Sequence, residues 1–195
     1  MELNEELGHS DILLIDQILK GRFKQGMRIL DAGCGEGRNM TWFIRNGYQI
    51  YGIDQDKAAI RMGRLLARSL NRDFTLENLW ATSIEDNPFP DQFFDIIFSI
   101  NVLHFARNKD HFRDMAMALS RILKPKGKIF ISMSSTWGLG DMKPGREWHQ
   151  RLLWDDPVLD LLENYFSLDE NEPIRTLQVK DKDCLTYVWM EKNGN

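Results

Sequence analysis

The chain has 195 residues, a net charge of −4 from 25 Lys and Arg against 29 Asp and Glu, and a hydrophobic share of 43%. That length fits one domain with a modest extension, whose core needs no metal or disulfide, and the acidic balance argues against a protein built to grip phosphate backbones. No apolar run reaches about 18 residues, which argues against a membrane-spanning helix, and Cys34 and Cys184 form neither a disulfide framework nor a metal cluster. The polar, acidic start lacks the pattern of a signal peptide, so a reduced, cytoplasmic setting is expected.

In chain order, residues 10–24 read as a helix capped by Ser10 or Asp11, with Ile12, Ile15, Leu19 and Phe23 recurring at helical spacing. A short strand at 27–31 follows Gly26. A Gly-rich turn leads to a helix at 38–46, with Met40, Phe43 and Ile44 inward and Gly47 as its stop. Residues 48–54 form the next strand. Asp56 caps a long helix reaching residue 72, with Ala59, Gly63, Leu66, Ala67 and Leu70 on one face. A third strand lies at 79–82. The Pro-bearing loop Asn87-Pro88-Phe89-Pro90 leads to 93–100, an apolar run that suits a strand buried on both faces.

Asn108 or Asp110 opens a helix carrying Phe112, Met115, Leu119, Ile122 and Leu123, with Met117 near the core. Pro125 and Gly127 end it before a fifth strand at 128–133. A Gly- and Trp-rich loop, a helix at 157–165, and strands at 174–179 and 184–190 complete the chain. The alternation of strands and helices predicts an α/β fold: a doubly wound, mostly parallel sheet closed by a C-terminal antiparallel hairpin at its edge.

The first loop carries the strongest chemical signal. It reads Asp31-Ala32-Gly33-Cys34-Gly35-Glu36-Gly37-Arg38-Asn39. Alternate glycines let a backbone come close to a ligand, because no Cβ stands in the way. The turn joins the first strand to a helix, where doubly wound sheets bind nucleotides. A dinucleotide fingerprint would need Gly where Arg38 stands, and no Gly-Lys-Ser/Thr follows to make a P-loop. A second acid, Asp54, ends the second strand, where a carboxylate can accept both hydroxyl protons of a ribose.

ILDAGCGEGRN, then YGID, PFPDQFFDIIFSINVLHF and RILKPKGKIFISM, together resemble a class I methyltransferase dependent on S-adenosylmethionine, and are similar within it to tellurite-resistance-type small-molecule enzymes. The resemblance implies a seven-stranded, Rossmann-like single domain over 1–195, with a helical cap at 1–26. The cofactor implied is S-adenosylmethionine, leaving S-adenosylhomocysteine as product, and the acceptor is a small molecule. By the same resemblance Ala32, Gly33, Gly35 and Gly37 pass under the methionine portion and Asp31 orients that loop. Asn39 belongs to the same cofactor-binding set. Asp54 holds the ribose hydroxyls. Gln55 stands where an apolar residue usually meets adenine, and Ser83 where many members carry an acid near the adenine amino group. Glu85 is two residues from that position, and Ile84 flanks the ring. Asn101 lies beside the sulfonium.

A sulfonium is already a good leaving group, so alignment of nucleophile, methyl and sulfur is the main requirement. No metal motif is visible. His104, three residues beyond Asn101, is the nearest candidate base. Cys34 reads as a small residue under the cofactor loop rather than a nucleophile. The segment 134–166 is expected to form a lid over the acceptor. It holds Trp137, Trp148 and Trp154, the glycines Gly138, Gly140 and Gly145, and Arg146 and His149 as acceptor contacts. Lys57, Arg61, Arg64, Arg68 and Arg72 make a basic helix face, read as solvated rather than as a nucleic-acid site. Ser99-Ile100-Asn101-Val102 also differs from the Asp/Asn-Pro-Pro-aromatic motif of many base-amino methylases. The rival readings are a non-catalytic S-adenosylmethionine-binding module, favoured by Gln55 and Ser83, and a nucleic-acid methyltransferase.

Overall fold

The apolar runs in the middle of the sequence become the middle of a sheet with helices on both faces. The computed structural model describes residues 7, 9–138, 152–180 and 183–194. β1 (Arg28–Ala32), β2 (Gln49–Asp54), β3 (Leu79–Ala81), β4 (Phe94–Ile100) and β5 (Leu123–Ser135) pair in parallel in the order β3-β2-β1-β4-β5. β6 (Phe166–Leu168), β7 (Arg175–Lys180) and β8 (Asp183–Lys192) are antiparallel additions. β8 pairs with β5, and β6 and β7 pair with opposite ends of β8. The sheet is thus seven strands wide. The expected hairpin forms from β7 and β8, but β8 is an interior strand, because the short β6, invisible in the sequence pattern, also lies along it.

Both faces of β4 are covered. Phe94 and Ile97 join one core with Leu30, Ile129 and Ile131, under α4 (Lys109–Ile122) and α5 (Asp156–Glu163). Ile96, Phe98 and Ile100 join the other with Ile29 and Phe130, under α1 (Ile12–Leu19), α2 (Thr41–Arg45) and α3 (Lys57–Leu70). Asp56 caps α3 as expected, accepting from the N–H groups of Ala58 and Ala59. The basic face of α3 is exposed along Lys57, Arg61, Arg64, Arg68 and Arg72.

Three expectations need correction. α1 stops at Leu19, since Gly21 takes φ +67° and ends the helix in the left-handed region. Its inward face is Leu13, Leu14 and Gln17, while Ile12 and Leu19 are exposed. The helix is apolar on more than one side, so spacing alone did not choose the face. Gln17 is drawn in because its Oε1 accepts the indole N–H of Trp189 at 2.7 Å. Met117 is exposed, one position off the buried stripe of Met115, Ala118 and Leu119.

Trp154 is fully buried and packs 6.1 Å from Trp137, so these two tryptophans of 134–166 belong to the packing of the domain. Trp154 N–H donates to the carbonyl of Ser134 at 2.8 Å, and the Thr136 N–H donates to the carbonyl of Trp154 at 3.1 Å. These bonds tie the returning chain to the end of β5.

Candidate active site

The strand order reverses between β1 and β4, and at such a switch point the loops leave toward opposite faces and open a crevice at the carboxyl ends of the strands. A cleft of about 870 Å³ lies there, a size that suits a small-molecule ligand. Its walls are the turn after β1, the end of β2, the loop after β3, the loop after β4 and the first turns of α4.

The Gly turn is built as its sequence requires. Gly33, Gly35 and Gly37 take φ of +86°, +53° and +83°, where side chains are disfavoured. A Cβ on Gly33 would also collide with the Val102 side chain, so the turn rests directly against the loop after β4. The N–H groups of Gly33 and Cys34 donate to the carbonyl of Ile53 at 2.8 and 2.9 Å. Gly35 N–H donates to one carboxylate oxygen of Asp54 at 2.8 Å, and Asp56 N–H to the other at 2.9 Å. Asp54 therefore fastens the turn to β2. It lines the cleft with a further lone pair on each oxygen.

Asp31 lies beneath the turn, 1% exposed, with Oδ2 unpartnered. Burial pushes its carboxyl well above the ordinary carboxylate range; Asp54 adds to this and Arg38 opposes it. Ala32 and Gly37 are buried in the same place, and the Ala32 carbonyl accepts the Ser99 hydroxyl at 3.1 Å. The Cys34 thiol is pushed up by burial, then by Asp31 and Asp54, which leaves it an unreactive thiol. Asn39 lines the cleft but also works outward, its Oδ1 accepting the Asp11 N–H at 2.9 Å and so docking the start of α1 on the turn.

Gln55, Ser83, Ile84 and Asn101 all line the cleft. Asn101 takes φ +60°, a conformation that Asn tolerates better than most residues. Its N–H donates to the carbonyl of Ser132 at 2.8 Å, while its buried Oδ1 has no partner. A strained residue with an orphaned acceptor, at the carboxyl end of β4, is a mark of a binding position.

His104 is not where the sequence suggested. It is 2% exposed and is not among the residues lining the cleft. Its Nδ1 accepts the Ser134 N–H at 3.3 Å and lies 3.2 Å from the Ser134 hydroxyl. The short helical turn Leu103–Phe105 rotates this ring under the wall, toward β5, and presents Phe105 to the rim instead, 59% exposed. Arg146, Trp148 and His149 lie outside the described residues.

The cleft also holds groups that spacing did not reveal. His111 Nδ1 accepts the Arg107 N–H at 3.1 Å, which leaves the ring proton on Nε2, hydrogen-bonded to the carboxylate of Glu85. This pair joins the loop after β3 to α4. The only sequence signal for His111 is its place in the first turn of a helix capped by Asn108.

The methyltransferase-domain family model matches residues 30–131, over half of the chain, from β1 to β5. The ubiquinone biosynthesis O-methyltransferase of Alkalilimnicola ehrlichii is 31% identical over 111 residues, covering 55% of this chain and 42% of that protein. The chain spans less than half the length of the curated relatives it matches. Among solved structures, a SAM-dependent methyltransferase of Methanosarcina mazei has a TM-score of 0.69 at 20% identity, covering 90% of this chain and 96% of that one. A TehB-like SAM-dependent methyltransferase of Corynebacterium glutamicum has a TM-score of 0.65 at 18% identity, covering 97% and 93%. The structural likenesses carry the fold, and the family match spans the Gly turn, Asp54 and the loops after β3 and β4. The chain belongs to the methyltransferase domain family.

Proposed function

We propose that this protein transfers a methyl group from S-adenosylmethionine to a small-molecule acceptor in the cytoplasm. One observation carries the reading: acceptors with spare capacity are spread along a single cleft. They are the Asp54 carboxylate at the end of β2 and Asn101 Oδ1 at the end of β4, while Asp31, with its unpartnered Oδ2, lies buried beneath the Gly turn behind the cleft wall. A ribose brings two hydroxyl donors and a methionine portion brings an ammonium, so donors and acceptors match in kind.

The residues present therefore fit the cofactor. Asp54 would accept the ribose hydroxyls, Asn101 would accept from the ammonium, and Asp31 would act on the ammonium from beneath the turn. Gly33 and Gly35 would let the backbone pass close beneath the methionine chain. Ile84, 5% exposed, would give the adenine an apolar edge. Bound there, the sulfonium supplies an activated methyl group. The chain's own contribution is to hold and orient, and approximation of this kind supplies much of a barrier reduction.

The size of the cleft and the names of the curated relatives support a small acceptor. A chain with two cysteines, Cys34 and Cys184, and no cysteine framework in its sequence supports a reducing compartment. Calorimetry with S-adenosylhomocysteine tests the cofactor, and a metabolite panel read by S-adenosylhomocysteine release tests the transfer. Absence of S-adenosylhomocysteine binding would overturn the reading.

A further inference from the structure

α3 buries Ile60, Gly63 and Ala67 against the sheet and turns two rows of side chains outward. The first row is cationic. At the helical repeat, Lys57, Arg61, Arg64 and Arg68 fall within an arc of about 60°, and Arg72 follows just past the helix end. The second row is apolar: Leu65 and Met62 stand beside the cations, 66% and 51% exposed. No acid lies between Lys57 and Arg72. Among the described residues none of the five cations is in an ion pair. Arg64 donates to the Leu79 carbonyl at 2.7 Å, which fastens the helix to β3 at the edge of the sheet. None of these side chains lines the cleft. In a chain of net charge −4 so concentrated a positive strip is a local feature of this helix.

We propose that this outer face of α3 docks the protein on an anionic lipid surface, as a peripheral contact with the helix lying in the plane of the headgroups. A face that only meets water mixes its signs, often with acids one turn from the bases, and puts polar residues between them. This face has one sign and exposes Leu and Met. A lipid surface satisfies both rows at once, because it sets an anionic layer over an apolar one. The guanidinium groups meet the headgroups, and Leu65 and Met62 enter the boundary beneath them. A nucleic-acid strand fits less well. It matches the cations, but Leu65 and Met62 would be left against phosphate, and the face offers no aromatic ring for a base to stack on. Nothing in this contact depends on what the cleft binds.

The test is co-sedimentation of the whole protein with vesicles of phosphatidylcholine alone and of equal parts phosphatidylcholine and phosphatidylglycerol. The wild type should bind the anionic vesicles and not the neutral ones, and added salt should weaken the binding. Each cation near such a surface contributes about fivefold, so Arg61→Gln with Arg68→Gln should lower the partition coefficient by about twentyfold. Leu65→Ser should lower it about tenfold at unchanged charge, through lost apolar burial. Lys24→Gln with Lys126→Gln removes the same charge from exposed positions outside α3 and should change it less than about twofold. Melting curves without vesicles show that each variant is folded, as expected of exposed positions. A wild type that ignores the anionic vesicles, or binds both kinds equally, would overturn the proposal. So would equal losses in the two charge-removal pairs, which would mean that net charge alone is read. A poly(U) strand that displaces the vesicles, and whose own binding falls with the arginine pair but not with Leu65→Ser, would assign the face to nucleic acid instead.

Discussion

Two aspartates at neighbouring strand ends carry opposite burdens. Asp54 is half-buried, and each of its oxygens already accepts a backbone N–H. Asp54→Ala should therefore weaken S-adenosylhomocysteine binding by about 2–4 kcal/mol, combining the lost ribose contacts with a loosened turn; calorimetry showing equal affinities would remove Asp54 from the site. Asp31 is buried without a partner on Oδ2, and burial raises its pKa. In the folded protein it keeps its proton at pH values where the unfolded chain has released it. The folded state then binds more protons, so stability from this group falls as pH rises from the ordinary carboxylate range through the raised value. An ammonium bound at Asp31 would reverse the preference and expel the proton. At a pH between the ordinary carboxylate range and the raised value, binding of S-adenosylhomocysteine should thus show an apparent enthalpy that depends on the ionisation enthalpy of the buffer, and Asp31→Asn should abolish that dependence. Equal enthalpies in two buffers for the wild type would remove Asp31 from contact with the ammonium.

At the scale of elements, α1 shows how a helix with more than one apolar side is oriented. Leu13 and Leu14 face the core, but Gln17 fixes the rotation by meeting Trp189 of β8. Gln17→Leu should cost about 1–3 kcal/mol despite adding apolar surface, because the indole N–H is left buried and unpaired. Urea denaturation checks this, and adding Trp189→Phe should recover part of the loss. A neutral Gln17→Leu would mean that α1 is placed by its leucines alone. The same helix touches the site through its cap, since the Asp11 N–H binds Asn39 of the Gly turn. His104 and Phe105 show the converse on the short turn Leu103–Phe105, where one step along the chain separates a buried anchor on Ser134 from an exposed ring at the cleft rim.

For the whole molecule, the antiparallel strands and α5 complete one core rather than build a second one. Val158, Leu162 and Phe166 share a cluster with Phe94, Ile97 and Ile131 of the parallel strands. Trp154 is the largest side chain in it and joins the returning chain to β5. Trp154→Ala should destabilise the protein by about 3–5 kcal/mol. Trp154→Phe should cost much less, because it also removes an indole N–H that has no partner. Tm measurements decide, and a Tm for Trp154→Ala near that of the wild type would assign this tryptophan to something other than packing.

The strand–helix alternation, the left-handed glycines of the first turn and the acid at the end of β2 were all legible from the chain itself. Each depends on local chemistry: an apolar run, an absent Cβ, a carboxylate at a fixed distance from a strand end. Membership of the family was legible for the same reason, since its motifs are those local features in order. The tertiary structure alone decided which face α1 buries, that β8 is an interior strand, that His104 anchors β5, and that Glu85 pairs with His111. In each of these, several polar or apolar groups had equal local claims. The choice fell to partners far away in sequence or to the turn of a side chain, and only packing around the finished sheet sets those.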